Sequence, residues 1–172
     1  MFKIGDFVSY RSEGVCRISD IRRENFSKGE DGPTYYILSP VNDPKSTLFV
    51  PTDSERLTGK MRPLLSRAEI VALCRELREE RLEWIEESRA RNNAFREILA
   101  EGDRCRLIVL LNTVEERIAA QIAEGKRLLG TDLNAREQSR RLLYEEFSAT
   151  VELGSEADLF ALLRGEEPVK EK

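Results

Sequence analysis

A single tryptophan, Trp84, stands in the charged run RLEWIEESR from Arg81 to Arg89, and it is the residue with the most to offer a ligand. An indole stacks on flat partners, fills apolar steps and carries one N–H donor. Tryptophan also serves as core, so burial and ligand contact are both open readings here. The groups of acid–base and metal chemistry are missing beside it. The 172 residues contain no histidine, which removes the commonest general base and the commonest metal ligand. Three cysteines, Cys16, Cys74 and Cys105, lie far apart and form no CxxC pair. No GxSxG or P-loop pattern occurs. The acidic residues fall at helical surface spacing, as solvated faces do. The chain reads as a binding protein and not an enzyme, with no metal and no cofactor.

Charge narrows the kind of binding. There are 28 Lys and Arg against 32 Asp and Glu, a net charge of -4, so bulk attraction to nucleic acid is excluded. Any nucleic-acid contact must rest on a local basic face. The odd cysteine count suggests a reducing cytosol, and the start MFKIGD is too charged for a secretory leader. No apolar run approaches the length of a membrane span, so a cytoplasmic protein is expected.

These residues must be positioned by two modules with different periods, and the fold class is α+β. Up to about Leu57 the apolar residues alternate or cluster in short runs: Phe2–Tyr10, Val15–Ile21, Tyr35–Leu38 and Leu48–Val50. Turn formers separate them at Ser12–Gly14, at KGEDGP (Lys28–Pro33) and at VNDPKS (Val41–Ser46). Short runs at this spacing predict a small, strongly bent antiparallel sheet or barrel. Beyond it, Ser66-Arg67-Ala68-Glu69 is a capping box ahead of Ile70, Leu73, Cys74 and Leu77 at helical spacing. A second helix is expected to carry Ile85, Phe95, Ile98 and Leu99 and to stop at Gly102. Asp103 caps a third, with Leu107, Leu110, Leu111, Val114, Ile118 and Ile122 along one face. Thr131 or Asp132 caps a fourth, and Ser155 starts a short last one. The expected boundaries are 1–57 for the β module, 58–65 for a linker, 66–165 for a helical bundle and 166–172 for a frayed tail.

Four pieces in order, FKIGDFVSY…GV…I, YYIL…T-FVP, MRPLLS and the tryptophan of EWIEESRARNNAFREIL, resemble the CarD/CdnL family of bacterial transcription regulators. The first module is also similar to the RNA-polymerase-interacting module of transcription-repair coupling factors. The resemblance implies a Tudor-like five-stranded barrel that docks on a lobe of the polymerase β subunit. It also implies a helical module that touches promoter DNA at the upstream edge of the melted bubble and stabilises the open complex, without chemistry of its own. The DNA contact implied is weak and largely independent of sequence. Nothing in the chain demands a dimer, and a monomer associated with the nucleoid through polymerase is expected.

The family docks through the strand that matches Ser46, Thr47, Leu48 and Phe49. Alternation lets only one of Leu48 and Phe49 point into the core, so Phe49 is open to a core or a partner role. Arg22 and Arg23 are candidates for charged docking contacts. Trp84 matches the family's wedge against the minor groove, where a flat ring favours a distorted step over intact duplex. Arg89, Arg91, Arg96, Lys126, Arg127, Arg140 and Arg141 are the candidate phosphate contacts. The alternative for these arginines is pairing with glutamates one helical turn away. Where many relatives have basic residues after the tryptophan, this chain has Glu86 and Glu87, and residues 58–172 carry 20 Lys and Arg against 23 Asp and Glu. That departure keeps open a different reading, a polymerase-docked protein–protein adaptor without direct DNA contact.

Overall fold

Strand alternation and helical periodicity separate the chain into two compact units, Met1–Leu64 and Leu65–Lys172. A computed structural model describes residues 1–26, 32–166 and 172. Most of the expected KGEDGP turn and of the expected tail lies outside the described residues.

The first unit is a five-stranded antiparallel sheet. Its strands are β1 (Phe7–Tyr10), β2 (Val15–Arg23), β3 (Thr34–Pro40), β4 (Leu48–Pro51) and β5 (Met61–Pro63). Their order is β4-β3-β2-β1-β5, so the sheet is open and β4 and β5 are its edges. One face buries Val8, Tyr10, Cys16, Ile18, Tyr36, Leu38, Val50 and Met61, with Phe2, Ile21, Leu48 and Leu57 packed against them. Strict alternation from Ile18 would turn the charged Asp20 inward. A register shift between Ile18 and Asp20 sets Ile21 opposite Tyr36 instead, and Ser19 Oγ donates to the Ile37 carbonyl at 2.9 Å across it. The β1–β2 connection ends at Gly14, which is buried at φ 72°, where a side chain would be strained.

Two elements here were not expected. A single-turn helix α1 (Glu55–Thr58) precedes β5, and β5 lies inside the stretch expected to be a linker. β5 is held by pairing with β1, Tyr10 opposite Met61 and Val8 opposite Pro63, and Met61 is buried. The β unit therefore runs to Leu64, not Leu57.

The second unit contains α2 (Arg67–Leu77), α3 (Ser88–Glu101), α4 (Arg104–Ala123), α5 (Gly130–Ser148) and α6 (Glu156–Leu163). α2 begins at its capping box: Ser66 N–H donates to Glu69 Oε2 at 2.8 Å, and Glu69 N–H donates to Ser66 Oγ at 3.4 Å. α3 ends at Gly102, left-handed at φ 64°, and Asp103 Oδ1 then accepts the Arg106 N–H that opens α4. α4 buries Leu107, Ile108, Leu110, Leu111, Val114 and Ile118. Ile122, expected on the same face, is 63% exposed. α5 starts at Gly130 with Leu129 at its cap position, and Thr131 and Asp132 fall inside its first turn. None of the helices described is long and apolar enough to cross a membrane.

The largest difference lies between α2 and α3. Residues 79–87, rich in helix formers, are not helical, and Ile85 precedes α3. Competing partners take this backbone: Leu82 N–H donates to Thr113 Oγ1 at 2.9 Å, and Asn112 Nδ2 donates to the Leu77 carbonyl at 3.2 Å. Glu87 then caps α3, accepting from the N–H groups of Arg89 at 2.9 Å and Ala90 at 2.6 Å.

Candidate functional site

In the first unit, the site candidates gather at the β4 edge. Among the described residues β4 pairs with β3 on one side only, through Leu38–Leu48, Ile37–Phe49, Tyr36–Val50 and Tyr35–Pro51. The unpaired side presents backbone donors and acceptors to whatever extended chain approaches. Alternation sets the direction of Phe49: Val50 is buried and Leu48 packs on the core, so Phe49 points to the opposite face, 36% exposed.

There Phe49 joins an aromatic cluster whose other two members, Phe26 and Tyr35, were not among the expected site residues. Phe26, Tyr35 and Phe49 meet edge to face, with ring centroids 5.0 to 6.1 Å apart, and Phe26 is 65% exposed. Arg22 lies opposite Tyr35 in the β2–β3 ladder and so on the same face as the cluster. Its charge is already met by Asp20 at 2.9 Å and Glu24 at 2.6 Å, which raise its pKa further, Glu24 more than Asp20. Arg23, opposite Thr34, is exposed. Ser46 and Thr47 precede the strand; Ser46 closes a turn by donating through its N–H and its hydroxyl to Asp43.

In the second unit, Trp84 lies in the non-helical segment ahead of α3, not at the head of that helix. It is half-buried. Its ring is tilted against Phe95 at 6.3 Å between centroids, and the Arg91 and Arg117 guanidinium carbons lie 4.4 and 4.9 Å from its centroid. Two cations at this distance face the negative ring surface. Arg117 was not among the expected site residues; at its exposed place on α4 nothing in the sequence links it to Trp84.

The expected phosphate contacts divide into two sets. Arg91 is 3% exposed and forks onto Asp132, Nε to Oδ1 at 3.0 Å and Nη2 to Oδ2 at 3.1 Å, so it does not reach a phosphate. A buried charge needs a partner of this kind, and Asp132 at the start of α5 supplies it. Arg140 bonds Glu137 at 2.5 Å and Glu156 at 2.6 Å with little of its side chain exposed. Arg141 pairs with Glu145 at 3.0 Å, one turn on, and Lys126 is exposed but bonded to Glu124. Arg89, Arg96 and Arg127 are exposed and have no ion pair among the described residues.

Arg89 and Arg96 are seven residues apart on α3 and share a face. Arg89 also lines an open hollow of about 570 Å³ with Ser88, Asn92, Leu129, Gly130 and Thr131. The α3 start thus meets the connection that carries Lys126 and Arg127. Lys126 has its pKa raised by the Glu124 hydrogen bond and charge and, more weakly, by the Glu86 charge. One member of the acidic pair after Trp84 acquires a structural explanation: Glu87 caps α3, and its carboxyl is held below its ordinary value by the Arg89 and Ala90 N–H groups. Cys16 and Cys74 are buried, with thiols pushed up to about 12 mainly by desolvation, and are inert; Cys105 is exposed. No cluster of metal-ligating side chains occurs among the described residues.

Residues 2–65 match the family model described as CarD-like/TRCF RID domain, which spans the first unit and one residue of the second. No curated protein matches the chain.

Proposed function

We propose, from the premise that this is a CarD-like protein whose residues 2–65 form an RNA-polymerase-interacting domain, that it docks on the lobe of the polymerase β subunit through the free edge of β4 and stabilises the open promoter complex. That domain family is a non-catalytic interaction module, and its role is tied to polymerase and transcription. The observation that carries the docking reading is the position of Phe49: on an edge strand, inside the matched residues, turned away from the core into a solvent-facing aromatic cluster. An extended strand of the partner adds to the edge, and the cluster supplies an apolar anchor beside it. In this reading an open five-stranded sheet takes the docking role that the resemblance assigned to a Tudor-like barrel.

In this reading the helical unit brings Trp84 to the minor groove at the upstream edge of the bubble, with Arg89, Arg96 and Arg127 on phosphates. Three cations on an acidic protein give weak affinity for free DNA. Docking on polymerase compensates, because the second contact becomes intramolecular at an effective concentration of roughly millimolar order. A β-lobe fragment and a promoter kinetics assay test both halves. The wild-type protein binds the fragment and lengthens the open-complex lifetime; Trp84→Ala keeps the first property and loses the second.

A second reading is favoured by one observation, the pairing of Arg91, Lys126, Arg140 and Arg141 with carboxylates. It makes the chain a polymerase-docked adaptor whose helices bind another protein. An unchanged open-complex lifetime in Trp84→Ala, with docking intact, selects it.

A further inference from the structure

Trp84 sits in a segment without regular structure, so something other than a helix must fix its ring. On one side the anchor is Thr113, whose hydroxyl accepts the Leu82 N–H at 2.9 Å. On the other side it is Arg91. One Nη1 donates to the Ile85 carbonyl at 2.7 Å and to the Glu86 carbonyl at 3.1 Å. The same guanidinium lies 4.4 Å from the indole centroid and forks onto Asp132. A single planar group therefore joins α3, the first turn of α5 and the two residues that follow Trp84. Asp132 is 2% exposed, and the α5 N-terminus favours its negative charge.

We infer that Arg91 is the positioning residue for Trp84: it touches no nucleic acid, and holds the indole in the one orientation that presents its free part to a partner. This rests on the reading that Trp84 acts on promoter DNA. A lysine has the charge but lacks the rigid fork, so it does not bond Asp132 and both carbonyls at once. An apolar pair, Met at 91 and Leu at 132, restores packing and removes two buried charges, an exchange that is often neutral or stabilising for a bundle. Neither replacement ties down the Ile85 and Glu86 carbonyls.

The test uses the full chain as Arg91→Lys and as the double variant Arg91→Met/Asp132→Leu, compared with wild type and Trp84→Ala. Trp84 is the sole tryptophan, so emission and acrylamide quenching report its surroundings alone. The expected result is wild-type helix content by far-ultraviolet circular dichroism and wild-type binding to the β-lobe fragment in both variants. Their indole emission shifts to the red, quenching rises, and open-complex lifetime drops to that of Trp84→Ala. A folded double variant with wild-type emission and quenching overturns the inference. Loss of helix content in both variants overturns it too, since Arg91 is then a support of the whole bundle and not of the Trp84 segment. If Trp84→Ala itself leaves the lifetime unchanged, the promoter reading fails, while the optical comparison still decides what Arg91 does.

Discussion

Ile37 and Phe49 stand opposite each other on β3 and β4, on the face of the sheet that Leu38 and Val50 turn away from. Ile37 is buried on that face although it is not part of the core on the other side, while Phe49 remains partly open. The edge of the sheet thus combines a covered apolar floor with an accessible ring. Phe49→Ala is expected to weaken binding to a β-lobe fragment by about 2 kcal/mol, roughly thirtyfold, as loss of a central aromatic anchor does. Titration calorimetry measures it, and the thermal midpoint is expected to move little. A large stability loss with unchanged affinity would return Phe49 to a core role.

The burial of Met61 against the sheet yields a second expectation. Met61→Ala in the full chain should cost ~2–5 kcal/mol of β-unit stability, the range for emptying a packed site. Urea denaturation followed by tyrosine signal checks it. A change below about half a kcal/mol, the usual size for a solvated position, is the outcome for a plain linker.

The Glu87 cap predicts a pH dependence with a definite sign. Its folded-state pKa is lowered from the ordinary 4.5 by the Arg89 and Ala90 N–H groups. Its stabilising effect is therefore fully present above pH 4.5 and disappears as pH falls through the lower folded value. Wild type should melt above Glu87→Gln at neutral pH, and the gap should narrow as acid is added below that point. A gap that stays constant from neutral pH to strong acid contradicts the cap.

Salt dependence separates the two sets of cations. Replacing Arg89, Arg96 and Arg127 by Gln should flatten the slope of log affinity against log salt for promoter DNA in the polymerase complex, by about 0.9 for each phosphate no longer neutralised. Arg140→Gln should lower the melting temperature, because Glu137 and Glu156 lose their partner, and leave the salt slope alone. Equal slopes for all four variants remove the phosphate role.

Local signals were legible where one short stretch decided the outcome. Ser66 with Glu69, Gly102 followed by Asp103, and Ser155 set helix ends by bonds within a turn, and the structure has those ends. β5 escaped because three residues carry no period and owe their strand to a ladder with residues 8–10. Residues 79–87 escaped because Thr113, 31 residues beyond Leu82, and Asn112, 35 beyond the last residue of α2, take backbone groups that a continuing helix would use. Arg91 had a signal that was missed: it repeats with Phe95 and Ile98 at four and seven residues, on the stripe that α3 buries. Asp132 likewise falls in register with Ala135 and Ser139 on the buried side of α5.

The placing of the sole indole among the helices has an optical corollary. Tyr10, Tyr35 and Tyr36 belong to the sheet, and only Tyr144 accompanies the indole in the second unit. In one unlabelled chain the indole thus reports the helical unit alone, and three of the four tyrosines report the sheet. Coincident or separate denaturation of the sheet and the bundle, and hence whether they share one cooperative transition, is readable from choice of wavelength alone.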